Sequence, residues 1–151
     1  MAEGRVYKKV PIETDLVALR ERFPHEKMQE GDIFSYEELV EVLRLERQSG
    51  RFQSVIGRWK DELLIQHQIS LLTLPNQGYK VATDSQKLQQ GEGKRDSAMR
   101  CLKKSSEYYA AIDRNKLQEG ERNVLDSNVK MNASIISALA IKRDLPKPQI
   151  G

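Results

Sequence analysis

From residue 13 to residue 83, apolar positions recur at helical spacing three times and then switch to the alternation of strands. Leu16, Val17, Leu19 and Phe23 predict a first helix, with Thr14 as its cap, Pro24 at its end and Gly31 as the break beyond it. Ile33 and Phe34 predict a short strand. Ser35 followed three residues later by Glu38 is a capping box, in which the hydroxyl meets an early backbone N–H and the carboxylate returns to the cap. The helix it opens buries Leu39, Val42, Leu43 and Leu45. Gln48, Ser49 and Gly50 then predict a tight turn, with Gly50 free to take a positive φ. A third helix, Arg51 to His67, carries Phe52, Val55, Ile56, Trp59 and Leu63 on one stripe, so Trp59 is expected in the core. Its other side offers Arg51, Ser54, Gly57, Arg58 and Asp61. Ile69, Leu71, Leu72 and Leu74 predict a strand, Pro75-Asn76-Gln77-Gly78 its turn, and Tyr79, Lys80 and Val81 the return.

The pattern changes after Thr83. Residues 84–93 are polar, hold Gly91 and Gly93, and read as a linker. Two helices are predicted beyond it. One runs from about Lys94 to Lys116, with Ala98, Leu102, Ser105, Tyr109 and Ile112 on one side; the other runs from about Glu121 to Ile141, with Val124, Leu125, Val129, Ile135, Ile136 and Leu139. Gly120 falls between them, as a helical hairpin requires. Residues 1–12 read as a flexible arm and 144–151, rich in proline, as a disordered tail. The expected fold is mainly α with a small β-hairpin: a winged-type domain over 13–83, then a helical hairpin over 94–143 for oligomerisation or partner binding.

The residues FSYEEL, the Ser49-Gly50 turn, the stripe of FQSVIGRW and the hairpin ending NQGYKV resemble the winged helix-turn-helix superfamily over about half the chain. The layout is similar to that of response-regulator output domains, without a receiver domain. The resemblance implies that the third helix enters the major groove of double-stranded DNA, where an α-helix fits and all base pairs are distinguishable. On that basis Arg51, Gln53, Ser54, Arg58 and Lys60 face DNA. Arg58 is the candidate for a bidentate contact to guanine, Gln53 for adenine, and Ser54 and Arg51 for phosphate. Gly57 costs roughly 1 kcal/mol relative to alanine inside a helix, which close approach to another surface would explain. In the wing, Asn76, Gln77 and Lys80 are candidates for phosphate or minor-groove contact, although Asn76 and Gln77 serve equally well simply to turn the chain.

Charge adds polarity to this picture. The 151 residues hold 25 Lys and Arg against 22 Asp and Glu, a formal net charge of +3 that decides nothing alone. Its placement is more informative. Two basic residues face five acidic ones over 31–50, but four face two over 51–83 and eight face five over 84–117. Positive charge therefore begins at the third helix and peaks after the hairpin, where Lys94, Arg95, Arg100, Lys103 and Lys104 cluster. Three Phe, one Trp and five Tyr suggest two small apolar clusters rather than one large core.

Catalytic chemistry finds little support. Cys101 is the sole cysteine, so no intrachain disulfide or cysteine-based metal site forms; it lies beside Arg100 and Lys103 but has no evident histidine partner. His25 and His67 are far apart in no metal-ligand spacing, and Glu37 and Glu38 suit the first turn of a helix through its dipole. No phosphate-binding glycine loop or nucleophile elbow is present. No metal, no cofactor and no enzymatic activity are expected. No apolar run is long enough for a bilayer and the first residues lack a signal-peptide core, so a cytoplasmic protein with no membrane partner is expected.

The leading expectation is a sequence-specific DNA-binding protein, a small homodimeric regulator of transcription that self-associates through residues 94–143, of a compactness suited to phage or plasmid genomes. The alternative is a non-enzymatic protein-interaction module that uses the winged helix as a scaffold. An RNA adaptor, which would need exposed stacking aromatics such as Tyr108 and Tyr109, is a weaker third.

Overall fold

A computed structural model describes residues 11–141 and shows a mainly helical chain with one three-stranded antiparallel sheet. The elements are α1 (Ile12–Arg22), β1 (Ile33–Ser35), α2 (Tyr36–Leu43), α3 (Gly50–His67), β2 (Leu71–Leu74), β3 (Gly78–Val81), α4 (Asp84–Ala110) and α5 (Glu119–Ile141), with 3-10 turns at His25–Lys27 and Arg114–Lys116. The chain divides into two compact units at Leu88/Gln89, a boundary that falls inside α4.

In the first unit the sheet order is β1-β3-β2, so the expected hairpin is completed by β1 on its far side. Phe34 pairs with Tyr79, and Tyr79 with Thr73; Ile33 pairs with Lys80, and Lys80 with Leu72. Alternation then puts Phe34, Tyr79, Val81 and Leu71 on the buried face and Ile33, Lys80 and Leu72 on the other. Helix α1 contributes Leu16, Leu19 and Phe23, and α2 contributes Leu39 and Leu43; Val17 is exposed. Helix α3 buries the predicted stripe of Phe52, Val55, Ile56, Trp59 and Leu63. At the centre the Trp59 ring lies 6.0 Å from Phe23 and 5.7 Å from Phe34, while Phe23 and Phe34 meet edge to face at 5.0 Å.

Local chemistry sets the boundaries. The capping box is formed: Ser35 Oγ accepts from the Glu38 amide at 3.2 Å and Glu38 Oε2 accepts from the Ser35 amide at 3.1 Å. In the wing turn Pro75 is followed by Asn76 at φ 62°, the order a type II turn asks for. Gly78 cannot be replaced at its φ of 150°, because a Cβ there would overlap the Phe34 carbonyl oxygen on the neighbouring strand.

Four expectations are corrected. Thr14 lies inside α1, which starts at Ile12 after Pro11; a proline just ahead of a helix arrives with a favourable φ and no N–H to satisfy. The positive φ between α2 and α3 belongs to Arg44 (φ 52°), while Gly50 is the first residue of α3 behind the cap Ser49, whose Oγ accepts from the Phe52 amide. Residues 84–93 are helix rather than linker. Thr83 and Gln86 form a second capping box, Gln86 amide to Thr83 Oγ1 at 3.3 Å and Thr83 amide to Gln86 Oε1 at 3.0 Å, and α4 starts there despite Gly91 and Gly93. Gly120 sits in the first turn of α5, so the hairpin connection is residues 111–118, with Arg114–Lys116 as its 3-10 turn. Of the arm expected over 1–12, residues 1–10 lie outside the described residues, while Pro11 caps α1 and Ile12 opens it; the tail over 144–151 also lies outside them.

The second unit is an antiparallel pair. Arg95 donates to the Leu139 carbonyl at 3.4 Å at one end, Asn132 Nδ2 donates to Ser105 and Ser106 hydroxyls at 3.2 and 3.3 Å in the middle, and Arg114 pairs with Asp126 near the turn. Among the described residues its buried ones are Met99, Leu125 and Asn132.

Candidate nucleic-acid interface

Because α3 spends one stripe on the core, its remaining arc is fixed by the 3.6-residue period. Gln53, Ser54, Arg58 and Asp61 are exposed, and Gly57 lies half-buried among them. A Cβ built on Gly57 meets nothing within 4 Å, so no packing demand of this chain requires glycine at that position. Arg58 enters no hydrogen bond or ion pair among the described residues, and its charge helps hold the Glu62 carboxyl below its ordinary range. The larger cause there is Arg20, whose Nε and Nη2 donate to the two Glu62 oxygens at 2.7 Å each. Ser54 donates its hydroxyl to the Gly50 carbonyl at 2.9 Å, which leaves the oxygen lone pairs outward.

Gln53 connects this arc to the turn ahead of it. Its Nε2 donates to the Arg47 carbonyl at 3.0 Å. The Arg47 guanidinium lies 3.6 Å from the centroid of the Tyr36 ring, and the Tyr36 amide donates to the Gln77 carbonyl at 2.9 Å. Gln53, Arg47, Tyr36 and the exposed wing tip Asn76-Gln77 are thus linked into one continuous surface of the first unit, with Arg58 exposed farther round α3. A stacked guanidinium keeps its N–H edges for acceptors, so Arg47 is held flat yet still able to donate. The turn region and the wing tip also enclose a shallow groove, with Ile33, Ser35, Tyr36, Val40, Arg47 and Asn76 among its walls.

Three of the expected contacts are turned elsewhere. Arg51 faces α1, with Nη2 and Nε at 2.6 and 2.9 Å from Asp15 Oδ2 and Nη2 at 3.4 Å from the Pro11 carbonyl. Lys60 is half-buried with its ammonium 4.9 Å from the Tyr79 ring centroid, so it points at the sheet. That contact also fixes which sheet face α3 covers. Lys80, on the opposite face with Ile33 and Leu72, is not on the Arg58 surface. Arg44 and Arg47, exposed in the turn, were not among the sequence candidates; their signal was masked by the acidic residues around them. Tyr79 is held as the neutral phenol, its pKa pushed up to about 12 by burial first and by neighbouring Tyr36 second.

His25 and His67 come together after all, with stacked rings 3.5 Å apart, but no group of three or more His, Cys, Asp or Glu among the described residues is arranged to hold a metal. Glu38 is occupied as a cap and Cys101 is exposed on α4. No helix among the described residues is long and apolar enough to cross a membrane. No family model matches the chain, nor does any curated protein or solved structure.

Proposed function

We propose that the first unit is a winged helix-turn-helix that binds double-stranded DNA sequence-specifically, with α3 in the major groove, and that the chain is a small transcriptional regulator rather than an enzyme. The observation that carries the reading is the outward arc of α3: an exposed guanidinium, Arg58, with no hydrogen bond or ion pair among the described residues, beside a glycine the packing does not require, Gly57. A residue without a side chain lets the helix backbone come close to base edges. Arg58 then reaches guanine N7 and O6 with two parallel N–H donors, a pairing worth about 1–3 kcal/mol against the wrong base. The free Oε1 of Gln53 and the Ser54 hydroxyl supply further acceptors. Arg47 and the wing tip meet the flanking backbone, where contacts position the protein without reading sequence. Arg51 holds α3 to α1 through Asp15 and so orients the reading helix without touching DNA.

A second reading rests on the far end of the same arc. Leu64 is 50% and Ile65 79% exposed, with Asp61 one turn before them. Two apolar side chains and a carboxylate suit a protein partner better than a phosphate-lined groove.

Selection of bound sequences from a random duplex pool separates the two. Expected are an enriched motif and, with Arg58→Ala, loss of discrimination at one base pair of about 10-fold or more. Lys80→Ala, on the other sheet face, is expected to bind that site as the parent does. No enrichment at low salt, or equal weakening of selected and scrambled duplexes by Arg58→Ala, rejects the DNA reading in favour of the partner surface at Ile65.

A further inference from the structure

The second unit carries two apolar seams with the same spacing. On α4 they are Ala98, Leu102, Ser105 and Tyr109, continued by Ile112 two residues past its end; on α5, Val124, Asn128, Met131, Ile135 and Ala138. Each set follows i, i+4, i+7, i+11, i+14, the alternating three-and-four step of a coiled-coil seam. None of the ten residues is charged, in a chain where 31% of residues are.

The two seams open on the same side of the hairpin. Tyr109 from the end of α4 and Ile112 just beyond it, with Val124 and Asn128 from α5, line an open groove of about 480 Å³ at the turn end. Much of this face meets solvent: Val124 is 60%, Met131 57%, and Ile112 and Ile135 each 38% exposed. Of the seam, Ser105 accepts from Asn132 across the hairpin, whereas Val124, Met131 and Ile135 stay open to solvent. The α5 residues turned toward α4 are Leu125 and Asn132, one position on from the exposed Val124 and Met131.

We infer that this face is the interface with a second copy of the chain, which closes two hairpins into a four-helix bundle. The area suits that occupant. The 23 residues of α5 span roughly 35 Å at 1.5 Å per residue, and two helices side by side are about 20 Å wide. Covering the seams therefore removes on the order of 600 Å² per copy, about 1,200 Å² in all, where stable specific interfaces begin. The unit also needs it. A two-helix layer with two buried apolar side chains, Met99 and Leu125, has half a core, and a copy related by two-fold rotation supplies the matching half. Asn128, the second of the five α5 seam positions, fixes the register, as a polar residue in such a seam does.

The inference is independent of DNA binding and is tested on the full chain by sedimentation equilibrium at micromolar concentration. The expected mass is twice 17.3 kDa. Met131→Glu places a charge in the seam and is expected to raise the dimer dissociation constant about 100-fold. Met131→Ser, without a charge, is the second variant should the glutamate protein lose its helical circular dichroism, and is expected to weaken the dimer about 10-fold or more. Asn123→Glu adds the same charge on a side of α5 away from the seam and is expected to leave the dimer intact. A parent protein of single-chain mass overturns the inference, as does a dimer that survives both Met131 substitutions, or one that Asn123→Glu also dissociates.

Discussion

The first unit takes 88 residues of the chain and the second 63, and only the first closes a core within itself. In the first, three helices and three short strands bury fourteen apolar side chains in one cluster around Trp59. In the second, two longer helices bury Met99, Leu125 and the polar Asn132, and leave Val124, Val129 and Met131 largely in water. Helix length is therefore no measure of self-sufficiency. Burial requires elements that cross, and two antiparallel helices offer each other one stripe only. The wing sheet and α1 give α3 something to press against on several sides, whereas α5 has α4 alone.

The largest test of that contrast is Trp59→Ala. Trp59 is 1% exposed, and truncating a buried large aromatic costs about 3–5 kcal/mol, a large part of what holds a domain this small. Leu125→Ala, at the best-covered apolar position of α5, is expected to cost about 2 kcal/mol, the low end for leucine, because its site is open on one side. Urea unfolding followed by circular dichroism measures both. Equal losses would break the comparison.

Next comes Gly78→Ala, expected to destabilise by about 3 kcal/mol. Its Cβ must displace the Phe34 backbone, which belongs to β1, and β1 brings Phe34 against Trp59. Gly120→Ala in α5 meets nothing within 4 Å and is expected to leave the melt unchanged or slightly raised. A mild Gly78→Ala would mean that the three-stranded sheet is not what holds the aromatic cluster in place.

Ion pairs repeat the contrast on a smaller scale. Arg20 grips Glu62 with two bonds, the Glu62 side chain is 15% exposed, and pairing holds its carboxyl below the ordinary value. A depressed carboxyl contributes stability that is complete above the unfolded value near 4.3 and is lost as pH falls through the lower folded value. Arg20→Ala is expected to cost about 1 kcal/mol at neutral pH, after discounting for the partly exposed guanidinium, and to flatten the acid limb of the stability curve. Arg114 and Asp126 in the second unit make an equally short pair in open solvent. Arg114→Ala is expected to leave thermal melts unchanged at physiological salt. A steeper acid limb after Arg20→Ala would reverse the assignment to Glu62.

Much of the first unit was legible because its signals are local. The i, i+3, i+4 stripe of α3 and the Ser35/Glu38 box each lie within a few turns of chain, and both appear as read. The second box, Thr83/Gln86, was equally local, but Gly91 and Gly93 pulled the reading of 84–93 toward a linker. A cap and the helix it opens outweigh the roughly 1 kcal/mol that each interior glycine costs. The candidate site was legible in part. Helical phase put Arg51, Ser54, Gly57, Arg58 and Asp61 on one face; Ser54, Arg58 and Asp61 are exposed there, whereas Arg51 turned inward to Asp15, a partner 36 residues away that no local pattern names. Strand alternation already separated Lys80 from Tyr79 and Val81. That its face lies away from α3 follows only from β3 being the middle strand, with Tyr79 beneath Lys60.

The smallest expected effect divides fold from function most cleanly. Gly57 sits in the helical interior of α3 without a positive φ, and an added methyl meets open space. Alanine there restricts the unfolded chain and favours the helix, so Gly57→Ala is expected to stabilise the protein by about 0.5–1 kcal/mol, read as a raised midpoint in urea. If the backbone at this position approaches base edges closely, the same methyl weakens binding to the selected duplex while leaving Arg58 in place. A protein that is more stable and binds less well has a glycine kept for its partner. A protein that is more stable and binds equally well has no such constraint at Gly57, and the contact then moves along α3 toward Leu64 and Ile65.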